Sequence, residues 1–152
     1  MNAAITNSLA PAAVVVRRTI AASAEDLFDA WLDPEALAIW MRPGSGIHNT
    51  QAKVEPRVGG RFEINMHADS GVIPHSGVYR VIDRPRRLVF TWLSPHTGEG
   101  ETLVTVDFLP RDRRTEVVVT HEQLPEAKRE AHNGGWTRAL EKLDAFRAPS
   151  LK

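Results

Sequence analysis

The stretch that most constrains this chain lies near its C-terminus, from Leu124 to Arg147. Trp136, Ala139, Leu140, Leu143 and Phe146 recur there at spacings of three and four, which stacks them on one face of a helix. Thr137, Arg138, Glu141, Lys142 and Asp144 fill the other face. Pro125 suits the first turn, where a missing N–H costs least. At ~1.5 Å per residue the helix spans about 33 Å, long enough to cross a curved sheet. Its first half, Pro125 to Asn133, offers a core little beyond Ala127 and Ala131, so it should be the looser part. Gly134-Gly135 divides the halves. Each glycine costs a helix ~1 kcal/mol relative to alanine, so a bend or a close backbone approach is expected there. A pocket beneath the helix is expected to open at the same step.

Almost everything before this helix reads as strand. Val14 to Ile20 is β-branched and begins the sheet. Ser23, with Asp26 three residues on, is a variant capping box for a short helix carrying Leu27, Phe28, Trp31 and Leu32. Asp33-Pro34 interrupts it, because proline disfavours helical geometry in the residue before it. A second short helix runs from Pro34 to Trp40, and Pro43-Gly44-Ser45-Gly46 is a loop. Strands are then expected at Asn49–Glu55, Arg61–His67, Val72–Ile82, Arg87–Leu93, Thr102–Leu109 and Thr115–Glu122. Val58-Gly59-Gly60 reads as a hairpin turn, since glycine takes positive φ without steric cost. Arg61 to His67 alternates, with Phe62, Ile64 and Met66 on one face and Glu63, Asn65 and His67 on the other. Hairpin-length connections imply an antiparallel sheet, covered on one face by the available helices. The expected fold class is therefore α+β. Residues 14–147 form one domain, between flexible tails at 1–13 and 148–152.

The totals exclude several functions. Nineteen Lys and Arg balance nineteen Asp and Glu, which leaves no footprint for nucleic acid or an anionic membrane. Two arginine clusters, at 84, 86 and 87 and at 111, 113 and 114, flank turns and read as solvated. With no cysteine, disulfides, thiolate zinc sites and cysteine nucleophiles are excluded. No segment approaches the ~20 apolar residues of a membrane helix, and the N-terminus lacks the pattern of a signal peptide, so a cytoplasmic location is expected. There is no G-x-S-x-G, H-E-x-x-H or G-x-x-x-x-G-K-[ST]. The six histidines, His48, His67, His75, His96, His121 and His132, never pair at metal-ligand spacing. Neither a metal nor a cofactor is expected.

The ordered set Ala24–Trp31 with Asp33-Pro34 and Trp40, Val58-Gly59-Gly60-Arg61-Phe62, Gly77-Val78-Tyr79, Arg87 to Trp92, Thr115 through His121, and Gly134-Gly135-Trp136 with Leu140–Leu143 resembles a known family. These are the bacterial proteins similar to the C-terminal domain of the activator of the ninety-kilodalton heat-shock chaperone ATPase. That family belongs to the START-like (SRPBCC) superfamily, with the birch-pollen allergen and the aromatase/cyclases of polyketide synthesis. The resemblance spans roughly Val14 to Phe146. It implies a helix-grip fold: a curved antiparallel sheet of six or seven strands around the C-terminal helix, two short helices after the first strand, and an apolar cavity. It does not carry a reaction, because the superfamily holds carriers, receptors, cyclases and chaperone regulators alike. The chaperone activator itself has a separate N-terminal domain for which this chain has no room.

The aromatics make the best case for a site. Trp40, Phe62, Met66, Tyr79, Phe90, Trp92, His121, Trp136 and Leu140 come from separate elements and are the expected pocket residues. The opposing reading is that these side chains simply fill the core. Tyr79, Trp92 and Trp136 bring polar atoms that need partners when buried. His121 shares a face with Val117 and Val119; it could orient a ligand or act as a base, and the favoured reading is a buried, hydrogen-bonded histidine. Glu63 should face solvent, and the facing of Asp107 is open. Trp40, Met41 and the Pro43–Gly46 loop form either a lid or, the favoured reading, a connector with Trp40 anchored in the core. Binding of a small apolar or aromatic molecule without catalysis is the primary reading. A cyclase- or hydrolase-like enzyme using His121 and Tyr79 is the first alternative. A protein-interaction module, as a chaperone partner or a homodimer, is the second.

Overall fold

The computed structural model describes residues 13–147, except Ser45 and Glu99. In chain order the elements are β1 (Ala13–Ile20), α1 (Ala24–Leu32), α2 (Pro34–Trp40), β2 (Ile47–Val54), β3 (Arg61–Ala68), β4 (Gly71–Asp83), β5 (Arg87–Trp92), β6 (Thr102–Arg111), β7 (Arg114–Glu122) and α3 (Glu126–Arg147). The strands form one antiparallel sheet in the order β1-β7-β6-β5-β4-β3-β2. Strands β2 to β7 are a meander, and β1 returns to pair with β7. This is the α+β helix-grip arrangement expected from the sequence. Apart from Ala13, which begins β1, the expected tails lie outside the described residues.

Local chemistry explains the punctuation. The Ser23 hydroxyl accepts the Asp26 N–H at 3.1 Å and caps α1. Asp33 ends α1 and caps α2 in turn, accepting the Glu35 N–H at 3.0 Å with Pro34 in the first turn. Gly59 takes φ +83° in the turn between β2 and β3. Strand β2 starts two residues earlier than expected, at Ile47, through a register shift around His48. Strand β4 changes register between Tyr79 and Val81, and such an irregularity bends a strand. Gly77 sits just before it, where a Cβ would lie 1.9 Å from the Thr91 carbonyl and 2.6 Å from the Phe62 ring. Only glycine allows the strands to approach there.

The inward face follows the alternation. Phe62, Ile64 and Met66 are buried, and Glu63 is exposed. Asp107 settles outward, paired with Arg87 at 2.6 Å. Both arginine clusters lie at exposed turns, where Arg84 forks onto Asp29 and Arg111 meets Glu116. Helix α3 buries Trp136, Ala139, Leu140 and Leu143, all from its second half. Burying a leucine is worth ~2 kcal/mol, so this half pins the helix. Arg18 of β1 reinforces it through Asp144 at 2.8 Å.

Helix α3 is continuous through Gly134 and Gly135. A Cβ on Gly135 would meet only the Pro43 side chain at 3.9 Å, and one on Gly134 only the end of the Arg138 side chain. Neither glycine serves a close approach to the sheet. What Gly135 borders is empty space.

Candidate functional site

Between the sheet and the middle of α3, from Ala131 to Ala139, lies a cavity of about 290 Å³. The sheet supplies Ile47, Met66, Ile73, His75 and Trp92. Helix α3 supplies Ala131, His132, Gly135, Trp136, Arg138 and Ala139. The segments after α2 and β5 add Met41, Pro43, Gly44, Ser94 and His96. Ala131, Gly135 and Ala139 recur every four residues, so they form one stripe on α3. Small side chains along this stripe leave the space open. At the rim the Arg138 guanidinium donates from Nε to the Pro43 carbonyl, joining α3 to the segment after α2.

The other end of the same space is filled. Phe62, Tyr79, Phe90 and Trp92 meet Trp31, Leu37, Met41 and Ile64 around a void of only about 10 Å³. Ring centroids stand 5.3 Å apart for Phe62–Tyr79, 5.4 Å for Phe62–Phe90 and 6.3 Å for Trp31–Phe90. The Trp31 indole N–H is buried there without a partner among the described residues. Burial pushes the Tyr79 phenol pKa up. Met41 and Trp92 border both spaces and form the partition.

His121 is completely buried and lies behind the cavity wall. Its Nδ1 accepts the Trp136 indole N–H at 3.0 Å. Indole nitrogen only donates, so Nδ1 is bare and Nε2 carries the proton. Nε2 donates to the Thr102 hydroxyl at 2.7 Å, which donates to the Trp92 carbonyl at 2.7 Å. Burial pulls the His121 pKa down to about 3, and the ring stays neutral.

Three other histidines line the cavity. His75 places Nδ1 3.2 Å from the Ile64 carbonyl, and His132 places Nδ1 2.8 Å from the Lys128 carbonyl. Burial pulls His75 down to about 4, against the carbonyls of Ile64 and Ile73, which favour the protonated ring. Burial lowers His132 as well. His132 stands edge-on to His121, centroids 5.1 Å apart. Among the described residues no three His, Asp or Glu side chains gather in a group able to hold a metal.

Of the nine residues singled out from the sequence, Met66, Trp92 and Trp136 line the cavity. Phe62, Tyr79 and Phe90 surround the small void instead. Leu140 and His121 are packed in the core. Trp40 is a core anchor: its indole donates to the Ala30 carbonyl at 3.0 Å and its ring meets Trp31 edge-on at 4.8 Å. His121 is taken up by Trp136 and Leu140 by the packing of α3, and the other four share one physical reason. Helices α1 and α2 deliver Trp31, Leu37 and Trp40 over one end of the sheet, which closes it. His75 and His132 were missed as wall residues. The signals were present, since His75 shares a strand face with Gly77 and Tyr79, and His132 lies one helical turn before Trp136.

A curled antiparallel sheet gripping a long C-terminal helix, with two short helices after the first strand, defines the START-like class. The model of the activator of Hsp90 ATPase homolog 1-like proteins matches residues 21–147, and the chain belongs to that family. Protein CV1439 from Chromobacterium violaceum superposes with a TM-score of 0.81 at 26% identity, over 92% of this chain and 99% of that one. A protein from Rhodobacter sphaeroides gives 0.77 at 26% identity, over 90% and 93%. The AHSA1-like protein from Aeromonas hydrophila shares the fold, at 0.74 and 24% identity over 88% and 90%. No curated protein matches the chain significantly.

Proposed function

We propose that this protein binds a small, largely apolar aromatic molecule in the cavity beneath the middle of α3. The observation that carries the reading is the cavity itself, about 290 Å³ and walled by Met41, Met66, Ile73, Trp92 and Trp136. That volume lies at the small end of the roughly 300–1,000 Å³ typical of ligand pockets, which suits one or two fused rings. In this reading Met66, Trp92 and Trp136 touch the ligand. Trp40, Phe62, Tyr79, Phe90, His121 and Leu140 form the packed layer that holds them in place.

Geometry does not favour the enzymatic alternative built on His121 and Tyr79, because neither borders the open cavity. Among the described residues the exposed large apolar side chains, Val15, Ile39, Val58, Val72, Val81 and Leu93, are scattered over several elements, as single apolar residues on a surface ordinarily are. The test is an NMR titration with a panel of mono- and bicyclic aromatics. Amide and methyl shifts are expected at Met66, Ile73, Trp92, Gly135 and Trp136. Shifts confined to the solvent face of the sheet, at Glu63 and Asp107, would count against the reading.

A further inference from the structure

We infer that the ligand presents hydrogen-bond donors, as a hydroxylated aromatic does, to the Nε2 atoms of His75 and His132. The inference rests on the proposed binding function and adds what the cavity selects. Each ring has Nδ1 beside a backbone carbonyl, and a carbonyl only accepts, so the proton sits on Nδ1. Nε2 is therefore a bare acceptor in both. Neither Nε2 has a hydrogen-bond partner among the described residues, and neither counts among the sealed, unpartnered polar atoms. Both rings line the cavity. His75 is only 8% exposed, so what solvent access it has comes through that space.

Burial keeps both rings neutral at neutral pH, so they attract no anion. A phenolic O–H or an aromatic N–H satisfies one of them and two such donors satisfy both; an ether or a plain hydrocarbon leaves both acceptors dry. The surrounding Met66, Ile73, Trp92 and Trp136 take the ring faces. Arg138 is the competing recognition element, because its guanidinium lines the same cavity and would favour a carboxylate instead.

The experiment titrates the full chain with naphthalene, 2-methoxynaphthalene, 2-naphthol and 2-naphthoate, following calorimetry and tryptophan emission. 2-Naphthol is expected to bind roughly tenfold more tightly than 2-methoxynaphthalene, the effect of its one O–H donating to an otherwise dry acceptor. That preference is expected to fall in His75→Phe and in His132→Phe, and to vanish in the double variant. Equal affinity for the naphthol and the ether overturns the inference and leaves the binding function standing. So does a carboxylate preference that Arg138→Gln abolishes. If none of the four binds, the proposed binding function falls with it. The wild-type series needs no substitution, so a variant that misfolds does not decide the outcome.

Discussion

Beneath α3 the inward face of the sheet is filled at one end and open at the other, though the strands alternate identically at both. Along β3, Phe62 belongs to the filled end and Met66 to the open one. They are four residues, or roughly 13 Å, apart. On β4 the corresponding pair is Tyr79 and Ile73. The difference comes from what lies above. Over the filled end α1 and α2 lower Trp31 and Leu37 onto the sheet. Over the open end α3 presents alanine and glycine. A cavity in this molecule is thus made by the helices, and the sheet is a neutral floor.

The sharpest attack on that contrast is at Gly77, beneath Phe62. Gly77→Ala places a methyl group 1.9 Å from the Thr91 carbonyl, so β4 or β5 has to move. A loss of more than about 3 kcal/mol is expected in urea unfolding; a loss under 1 would show that the filled end is loosely packed. Next come paired truncations. Phe90→Ala in the filled end should cost ~3–5 kcal/mol, and Ile73→Ala in the open end about 1, because Ile73 already borders empty space. Equal costs would erase the distinction.

Acid provides the third probe. His75 and His121 have folded pKa values of about 4 and about 3, below the ordinary 6.5. Below pH 6.5 the unfolded chain takes up protons that the folded chain refuses, so stability is full above that pH and falls as pH drops. Each ring should contribute a loss of ~1.4 kcal/mol per pH unit through the window down to its folded value. A flat stability profile between pH 6 and pH 4, measured by urea midpoints, would contradict the sealed setting of His121. The smallest effect is expected at Gly135. Gly135→Ala should stabilise by ~1 kcal/mol, since it improves an ordinary helix position and meets only Pro43. The same methyl group should weaken ligand binding. A destabilised Gly135→Ala would mean that the stripe on α3 packs more tightly than it does here.

Much of this was legible in the chain. The alternation in β3 and β7, the Ser23 cap, the Asp33-Pro34 break and the stripe from Trp136 to Phe146 each rest on local periodicity or turn chemistry, and each set an element in place. The position of the cavity was not legible from alternation, because Phe62 and Met66 carry the same signal on the same strand. Only the docking of α1 and α2 separates them, and docking is a long-range property. Gly134-Gly135 drew attention for the right place and the wrong cause. The pair was read as a bend or a close approach to the sheet; the helix is continuous through it, a Cβ at either glycine would meet no sheet atom, and Gly135 leaves room below it. His121 belongs to the same lesson. Its alternation pointed inward correctly, but whether an inward histidine meets a ligand or an indole N–H depends on which helical residue lies opposite.

That opposing residue has a further consequence. Trp136, His121, Thr102 and Trp92 form three consecutive hydrogen bonds that all point one way, from α3 through β7 and β6 to the backbone of β5. Neither end can be reversed, because an indole N–H never accepts and a carbonyl never donates. The hydroxyl and the imidazole between them have no freedom to reorient either. The line works as a strut of fixed polarity, with one tryptophan at each end, and those two rings meet at 5.2 Å in a corner of the cavity. Two rings braced in this way hold a fixed angle to each other, whatever lies beside them.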